Sequence, residues 1–348
     1  MSETLLEVND LKLHFFTDEG VVKAVDGVSY SIERGKTLCV VGESGSGKSV
    51  AARAILQIVH TPGKIVGGTI LYHRPLPDGN HQATNITHLD ERGAEIRAIR
   101  GKEIAMIFQE PMASFSPLYT VGNQISEAIR LHEPVSKEEA RNRTIELLRR
   151  VGIPRPEQRI NEYLFRLSGG MLQRCMIAMA LSCNPNLLIA DEPTTALDVT
   201  TQAQILDLMR ELQADYGMAI LFITHDLGVV AEIADDVAVM YLGNVVERGD
   251  VDTIFNNRQH PYTSALLKSL PTIGTSQQRL DAIQGMVPSP FLRPTGCPFH
   301  PRCEKAIAGL CDRVEPASIA LSPDHETRRL LYDPAYEAQV RTKAIPHG

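Results

Sequence analysis

Nothing in this 348-residue sequence resembles a membrane span: no uninterrupted apolar stretch approaches the ~18–20 residues needed to cross a bilayer. Any membrane role is therefore expected to come through a partner. The N-terminus also lacks the marks of a secretory signal, because Glu3, Glu7 and Asp10 stand where such a signal carries positive charge ahead of an apolar run. No export is expected. A Lys/Arg-rich stripe is missing as well, and the formal charge is −7, which weighs against nucleic acid, whose binding depends on phosphate neutralisation. Repeats and low-complexity blocks are absent, which excludes a solenoid. What remains is an ordinary globular composition, 43% hydrophobic and 22% charged, in a chain long enough for two domains.

Up to about Leu270, short β-branched runs alternate with longer helical patterns, the reading of an α/β domain with a mainly parallel sheet. Residues 37–41, 187–190 and 219–223 are apolar runs, each followed at once by polar or Gly-rich residues. That order places polar groups at the carboxyl ends of strands, where open α/β sheets keep their ligands. Pro75 to Arg92 reads as a surface loop. From Val121 to about Ala180, Ile125, Ile129, Ile145, Leu147 and Leu148 fall at helix-like spacings, which predicts a helical subdomain inserted into the sheet domain. Beyond Leu270, Pro271, Gly274, Pro288, Pro290, Pro294 and Gly296 mark an extended connection into a small terminal module.

The most specific local pattern is Gly42-Glu43-Ser44-Gly45-Ser46-Gly47-Lys48-Ser49, which matches the phosphate loop of Gly, four residues, then Gly-Lys-Ser, directly after an apolar run ending at Val41. Glycines let backbone N–H groups curl around phosphate oxygens, and the helix that follows, beginning with Val50, points its positive end at them. Lys48 would neutralise β/γ charge and Ser49 would ligate Mg2+. Asp191 and Glu192 end a second apolar run, and two carboxylates at one strand end suit a magnesium ligand and a general base. A capping Asp ahead of a helix with Pro193 at its first position is the other reading of that pair.

Leu167-Ser168-Gly169-Gly170-Met171-Leu172-Gln173-Arg174 precedes Asp191-Glu192 by about twenty residues, and here the chain resembles the ABC ATPase family. The resemblance implies a P-loop NTPase fold of the α/β class. Its parts are a parallel-sheet core, an N-terminal antiparallel β subdomain, an inserted helical subdomain at about 111–180, and a Pro- and Cys-rich C-terminal extension over 271–348. Residues 1–270 would be the nucleotide-binding domain. It further implies that Ser168, Gly169 and Gly170 grip the γ-phosphate of ATP held by a second cassette, that Gln109 touches magnesium and the attacking water, and that His225 contacts the γ-phosphate. Ala196-Leu197-Asp198 resembles the loop crossing the dimer interface. Phe15 is the candidate to stack on adenine, with Phe16 beside it. Two positions depart from the family: Leu172 stands where Arg is usual, and Leu164-Phe165 where Pro-His is usual.

Residues 108–125, 191–200 and His260-Pro261-Tyr262-Thr263 resemble the dipeptide/oligopeptide permease branch. That resemblance implies an importer's ATPase on the cytoplasmic face of the inner membrane, paired with an identical or different second cassette. Its partners would be two membrane permease subunits fed by an extracytoplasmic solute-binding protein. Peptides, opines, nickel and oligosaccharides are all cargoes of the branch. A soluble ABC ATPase uncoupled from transport, and a module that binds ATP without hydrolysing it, are the alternatives.

Six cysteines form two groups. Cys39, Cys175 and Cys183 lie among apolar residues and read as small buried hydrophobes. Cys297, Cys303 and Cys311 are clustered in an element that resembles one which, in some branch members, holds a 4Fe–4S cluster on four cysteines. Here the fourth is expected near Leu330 to Tyr332, where there is none, and His300 is the other nearby donor. A cluster, a zinc ion and a metal-free module packed by its prolines are the three readings.

Overall fold

Fully buried, continuously apolar strands need cover on both faces, and three of them form the centre of this molecule. In the computed structural model, which describes residues 3–76, 81–195, 197–269 and 283–344, these are β3 (Thr37–Val41), β7 (Leu187–Asp191) and β8 (Ala219–Thr224). With β6 (Ile104–Ile107) and β9 (Asp236–Tyr241) they run parallel in the order β9-β3-β8-β7-β6. The period of two sends alternate side chains to opposite faces. Cys39, Val41, Leu188, Ala190 and Phe222 join one core with the helices, while Leu38, Val40, Ile189, Leu221 and Ile223 join the other.

The second core is closed by an antiparallel sheet of order β2-β1-β4-β5, built from β1 (Thr4–Thr17), β2 (Gly20–Glu33), β4 (Gly63–Pro75) and β5 (His81–Asn85). Between β6 and β7 the chain is helical, with Val121–His132, Lys137–Arg150 and Gly169–Ala180 as its longer elements. Ile125, Ile129 and Leu148 from these helices are fully buried.

The large sheet does not stop at β9. β10 (Asn244–Asp250) turns back antiparallel, and β12 (His325–Thr327) and β11 (Ile319–Ser322) add to it in turn. Residues from the far end of the chain thus complete the sheet that carries the phosphate loop. Glu247 ties this edge together, since its carboxylate accepts from the His260 N–H (3.0 Å) and the Gln259 N–H and lies 3.0 Å from His325 Nε2. The boundary expected at residues 270 and 271 falls outside the described residues, as does Ala196. Among the described residues, no helix is long and apolar enough to cross a membrane.

Candidate functional site

Gly42–Ser49 leaves the end of β3 and enters the helix Lys48–Ile55 along a path that two glycines permit. At Gly42 (φ 150°) a Cβ would lie 2.1 Å from the Met240 carbonyl oxygen, and at Gly47 (φ 97°) it would lie 2.3 Å from that of Ala24. No side chain fits either place. Ser44 and Gly45 are exposed, Ser46 is buried, and Val50 packs against the inter-sheet core. The Lys48 ammonium sits inside the curl and donates to the carbonyl oxygens of Gly42 (2.7 Å) and Glu43 (3.1 Å). Burial pulls its pKa below the ordinary lysine value, opposed by the charges of Glu192, Asp191 and Glu43. A desolvated cation inside a glycine loop at a helix N-terminus is prepared for a polyanion.

Asp191 is fully buried at the end of β7. Its Oδ1 accepts from Ser49 Oγ at 2.7 Å, and its Oδ2 has no hydrogen-bond partner among the described residues. Burial raises its pKa. A buried carboxylate oxygen without a partner is costly until a positive group completes it, so Ser49 and Asp191 fit a hard, oxygen-seeking cation such as Mg2+.

Glu192 adopts φ 48°, a left-handed conformation that non-glycine residues rarely take. Its carboxylate meets side chains from two other strand ends: Oε2 accepts from Gln109 Nε2 (3.3 Å) and Thr195 Oγ1 (3.0 Å), and Oε1 is 3.4 Å from His225 Nδ1. Gln109 follows β6, Glu192 follows β7 and His225 follows β8. Adjacent parallel strands thus bring three residues, separated widely in sequence, to the carboxyl edge of the sheet. Thr195 was not singled out from the sequence, where it is one of three threonines within residues 191–200 and carries no distinguishing mark.

Phe15 is half-buried in β1, its ring edge against Gly63, while Phe16 is 46% exposed. Phe15 pairs with Val22, two residues before Ala24, whose carbonyl faces Gly47. Ser168 caps the helix Gly169–Ala180 by accepting from the Met171 N–H at 3.3 Å. A Cβ on Gly169 would meet nothing within 4 Å, and one on Gly170 would meet Thr201 Cγ2 at 3.1 Å. Asp198 caps the helix Val199–Tyr216 through that same Thr201, accepting from its N–H (3.0 Å) and hydroxyl (2.7 Å). The two helix N-termini therefore lie side by side. Among the described residues no hydrogen bond or ion pair joins Ser168, Gly169, Gly170 or Asp198 to Gly42–Ser49. Leu172 is buried in the helical core, and exposed Phe165 stacks on Tyr163 with ring centroids 5.7 Å apart.

Glu43 belongs to the phosphate loop, yet its groups are engaged outside it: Arg302 grips its carboxylate with two hydrogen bonds, and the Glu43 N–H donates to Tyr262 Oη. Sequence reasoning had no access to this, because the partners lie more than two hundred residues away.

Of the three readings of the cysteine element, the residues present do not fit the 4Fe–4S cluster. Cys297, Cys303 and Cys311 share one neighbourhood, with the Cys297 N–H donating to the Cys311 carbonyl at 2.8 Å. Among the described residues, however, no group of three or more His, Cys, Asp or Glu is placed to hold a metal ion. Burial pushes the Cys297 thiol up to about 11 and raises that of Cys303. Where a fourth ligand was expected, Leu330 is buried with Leu310 and Val340, and Cys311 packs against them. His300 Nδ1 is turned to the Cys297 carbonyl oxygen at 2.9 Å. Three thiols and a leucine do not fit a four-ligand cluster. Cys39, Cys175 and Cys183 are buried free thiols.

Residues 25–195 match the family model described as ABC transporter, and residues 246–311 match that described as Oligopeptide/dipeptide transporter, C-terminal region. The Oligopeptide transport ATP-binding protein AppD of Bacillus subtilis is 49% identical over 331 residues, covering 95% of this chain and 97% of AppD. The chain belongs to the dipeptide/oligopeptide family of ABC transporter ATP-binding subunits. A second member, the Dipeptide transport ATP-binding protein DppD of Escherichia coli, is 46% identical over 93% of this chain and 95% of its own length. Among solved structures, the ATP-binding cassette MJ0796, a dimer in a post-hydrolysis state bound to ADP and Pi, superposes with a TM-score of 0.61 at 26% identity, covering 71% of this chain and 99% of that one. Family and fold together make this subunit an ABC ATPase with the P-loop NTPase architecture.

Proposed function

We propose that this subunit binds ATP at Gly42–Ser49, hydrolyses it with Glu192 as general base, and so powers uptake of peptides through membrane-embedded permease partners. The observation that carries the reading is the meeting of Gln109, Glu192 and His225 beside Ser49 and Asp191 at the carboxyl edge of one sheet. Backbone N–H groups of the loop and the Lys48 ammonium receive the phosphates. Ser49 and Asp191, with Gln109 near, would hold magnesium, which when bound screens the β- and γ-phosphate charge. Glu192 takes the proton from the attacking water, Gln109 orients that water, and His225 stabilises the γ-phosphate. Phe15 stacks on the adenine.

The open N-terminal end of the helix Gly169–Ala180 supports a second cassette, identical or different, whose γ-phosphate Ser168, Gly169 and Gly170 grip while Asp198 lines the joint. ATP closes the pair, closure turns two permease subunits, and hydrolysis resets them. An extracytoplasmic solute-binding protein supplies the cargo. The subunit would sit peripherally on the cytoplasmic face of the inner membrane. Residues 1–270 form the nucleotide-binding unit, with helices of 111–180 inserted, and 271–348 the extension that prolongs its sheet. Relatives named for oligopeptide and dipeptide transport favour peptides over opines, nickel or oligosaccharides and do not favour a soluble ATPase.

Purification of the tagged chain from gently solubilised native membranes tests this. Recovery with two polytopic proteins, and ATPase activity stimulated by peptide-loaded binding protein, is expected. An active chain recovered without membrane partners would overturn the transport reading.

A further inference from the structure

Arg302 lies in the C-terminal extension, yet its guanidinium is buried against the phosphate loop. Only 3% of its side chain is exposed. Nη1 and Nη2 donate to the two Glu43 carboxylate oxygens at 2.7 and 3.0 Å, Nε donates to the Gln284 carbonyl at 3.1 Å, and Tyr241 Oη lies 3.4 Å from Nη1. The rings of Tyr241 and Phe299 flank the guanidinium at 5.8 and 6.0 Å. Tyr262, which packs on both rings, accepts the Glu43 N–H at 2.8 Å. Glu43 is thus held at its backbone by Tyr262 and at its side chain by Arg302 of the C-terminal extension.

This is more than packing, because Glu43 sits within the loop, between Gly42 and Ser44. Its charge acts on Lys48, whose ammonium already bonds the Glu43 carbonyl oxygen. A carboxylate released beside Lys48 would compete with phosphate for that cation, whereas a bidentate guanidinium neutralises it and fixes its direction. Removing one member of a buried pair leaves the other charge uncompensated.

We infer that Arg302 is a positioning residue of the nucleotide site: through Glu43 it holds the phosphate loop open for ATP and makes nucleotide affinity depend on the C-terminal extension. The inference rests on the assignment of Gly42–Ser49 to the phosphates, so Lys48→Ala is the control for that assignment.

Magnesium-ATP affinity of the full chain is measured by equilibrium titration, with thermal melting as the check on folding. Arg302→Met is expected to weaken binding by about tenfold or more. The double variant Glu43→Gln/Arg302→Met is expected to return to within about threefold of the unsubstituted chain, because the competing charge has gone. A merely structural Arg302 predicts that affinity changes only as far as the melting temperature does, whereas here the loss and its rescue are expected at a temperature where every variant is folded. Should Arg302→Met fail to fold, Arg302→Lys keeps the charge without the fork and is expected to bind with intermediate affinity. Unchanged affinity in a folded Arg302 variant, or equal loss in the single and double variants, overturns the inference while Lys48→Ala still abolishes binding. Normal binding by Lys48→Ala would sink both the inference and the site assignment.

Discussion

Glu192→Gln separates chemistry from binding. The amide has the shape of the carboxylate and keeps an oxygen to accept from Thr195 Oγ1 at 3.0 Å and Gln109 Nε2 at 3.3 Å. The φ of 48° at this residue costs the same for either side chain. What disappears is the basic oxygen that removes a proton from water. General-base catalysis contributes about 10²–10⁴ in rate, so kcat should fall by that factor, roughly 3–5 kcal/mol of barrier at about 1.4 kcal/mol per tenfold. Affinity for ATP should move by less than about threefold, because the phosphate loop is untouched and a negative charge near the γ-phosphate has been removed. Phosphate release from the assembled transporter under saturating ATP, set against equilibrium titration of nucleotide, reads the two quantities separately. A kcat within about threefold of the starting protein would refute Glu192 as base. Parallel loss of affinity and rate would refute the separation of roles.

Gly47→Ala should destabilise the chain by about 2–3 kcal/mol in urea unfolding, since it sets a Cβ 2.3 Å from the Ala24 carbonyl at φ 97°. Ser49→Ala should raise the magnesium concentration for half-maximal ATPase activity by about tenfold, because it removes the hydroxyl that fits the cation beside Asp191. A pH effect is expected from His260, whose imidazole is pushed down to about 3 by burial and then by Arg329, and whose Nδ1 accepts the Tyr262 N–H. Its folded pKa lies below the unfolded one, so its contribution to stability is present above about pH 6.5 and is lost as pH falls toward 3, by at most about 1.4 kcal/mol per unit. His260→Asn keeps a capping acceptor and should flatten that slope in pH-dependent unfolding; an unchanged slope would refute the assignment.

Local chemistry was readable from neighbours in the chain. The apolar runs at 37–41, 187–190 and 219–223 appear as β3, β7 and β8, the last two each extended by one polar residue, Asp191 and Thr224. A buried parallel strand needs no partner residue to declare itself, because its whole run is apolar. The phosphate loop was equally plain, since glycine spacing and the lysine act through backbone conformation over eight residues. The cysteine element stayed open between three readings because three thiols in one segment carry the look of a ligand set. Whether a fourth donor arrives is decided by Leu330, which folds into an apolar core instead.

The sequence by itself therefore determined the parallel-sheet core, the phosphate loop and the order of the motifs around it, all properties of short segments. The resemblance assigned Gln109, Glu192 and His225 to one site and the tertiary structure supplies the contacts by which they meet, whereas tertiary structure alone decided that Glu43 is claimed by Arg302 and Tyr262 and that β11 and β12 complete the sheet. The physical reason is distance along the chain. Hydrophobic period and backbone propensity act between near neighbours, whereas a hydrogen bond between residues 43 and 302 exists only once the sheet has set the route by which the chain returns.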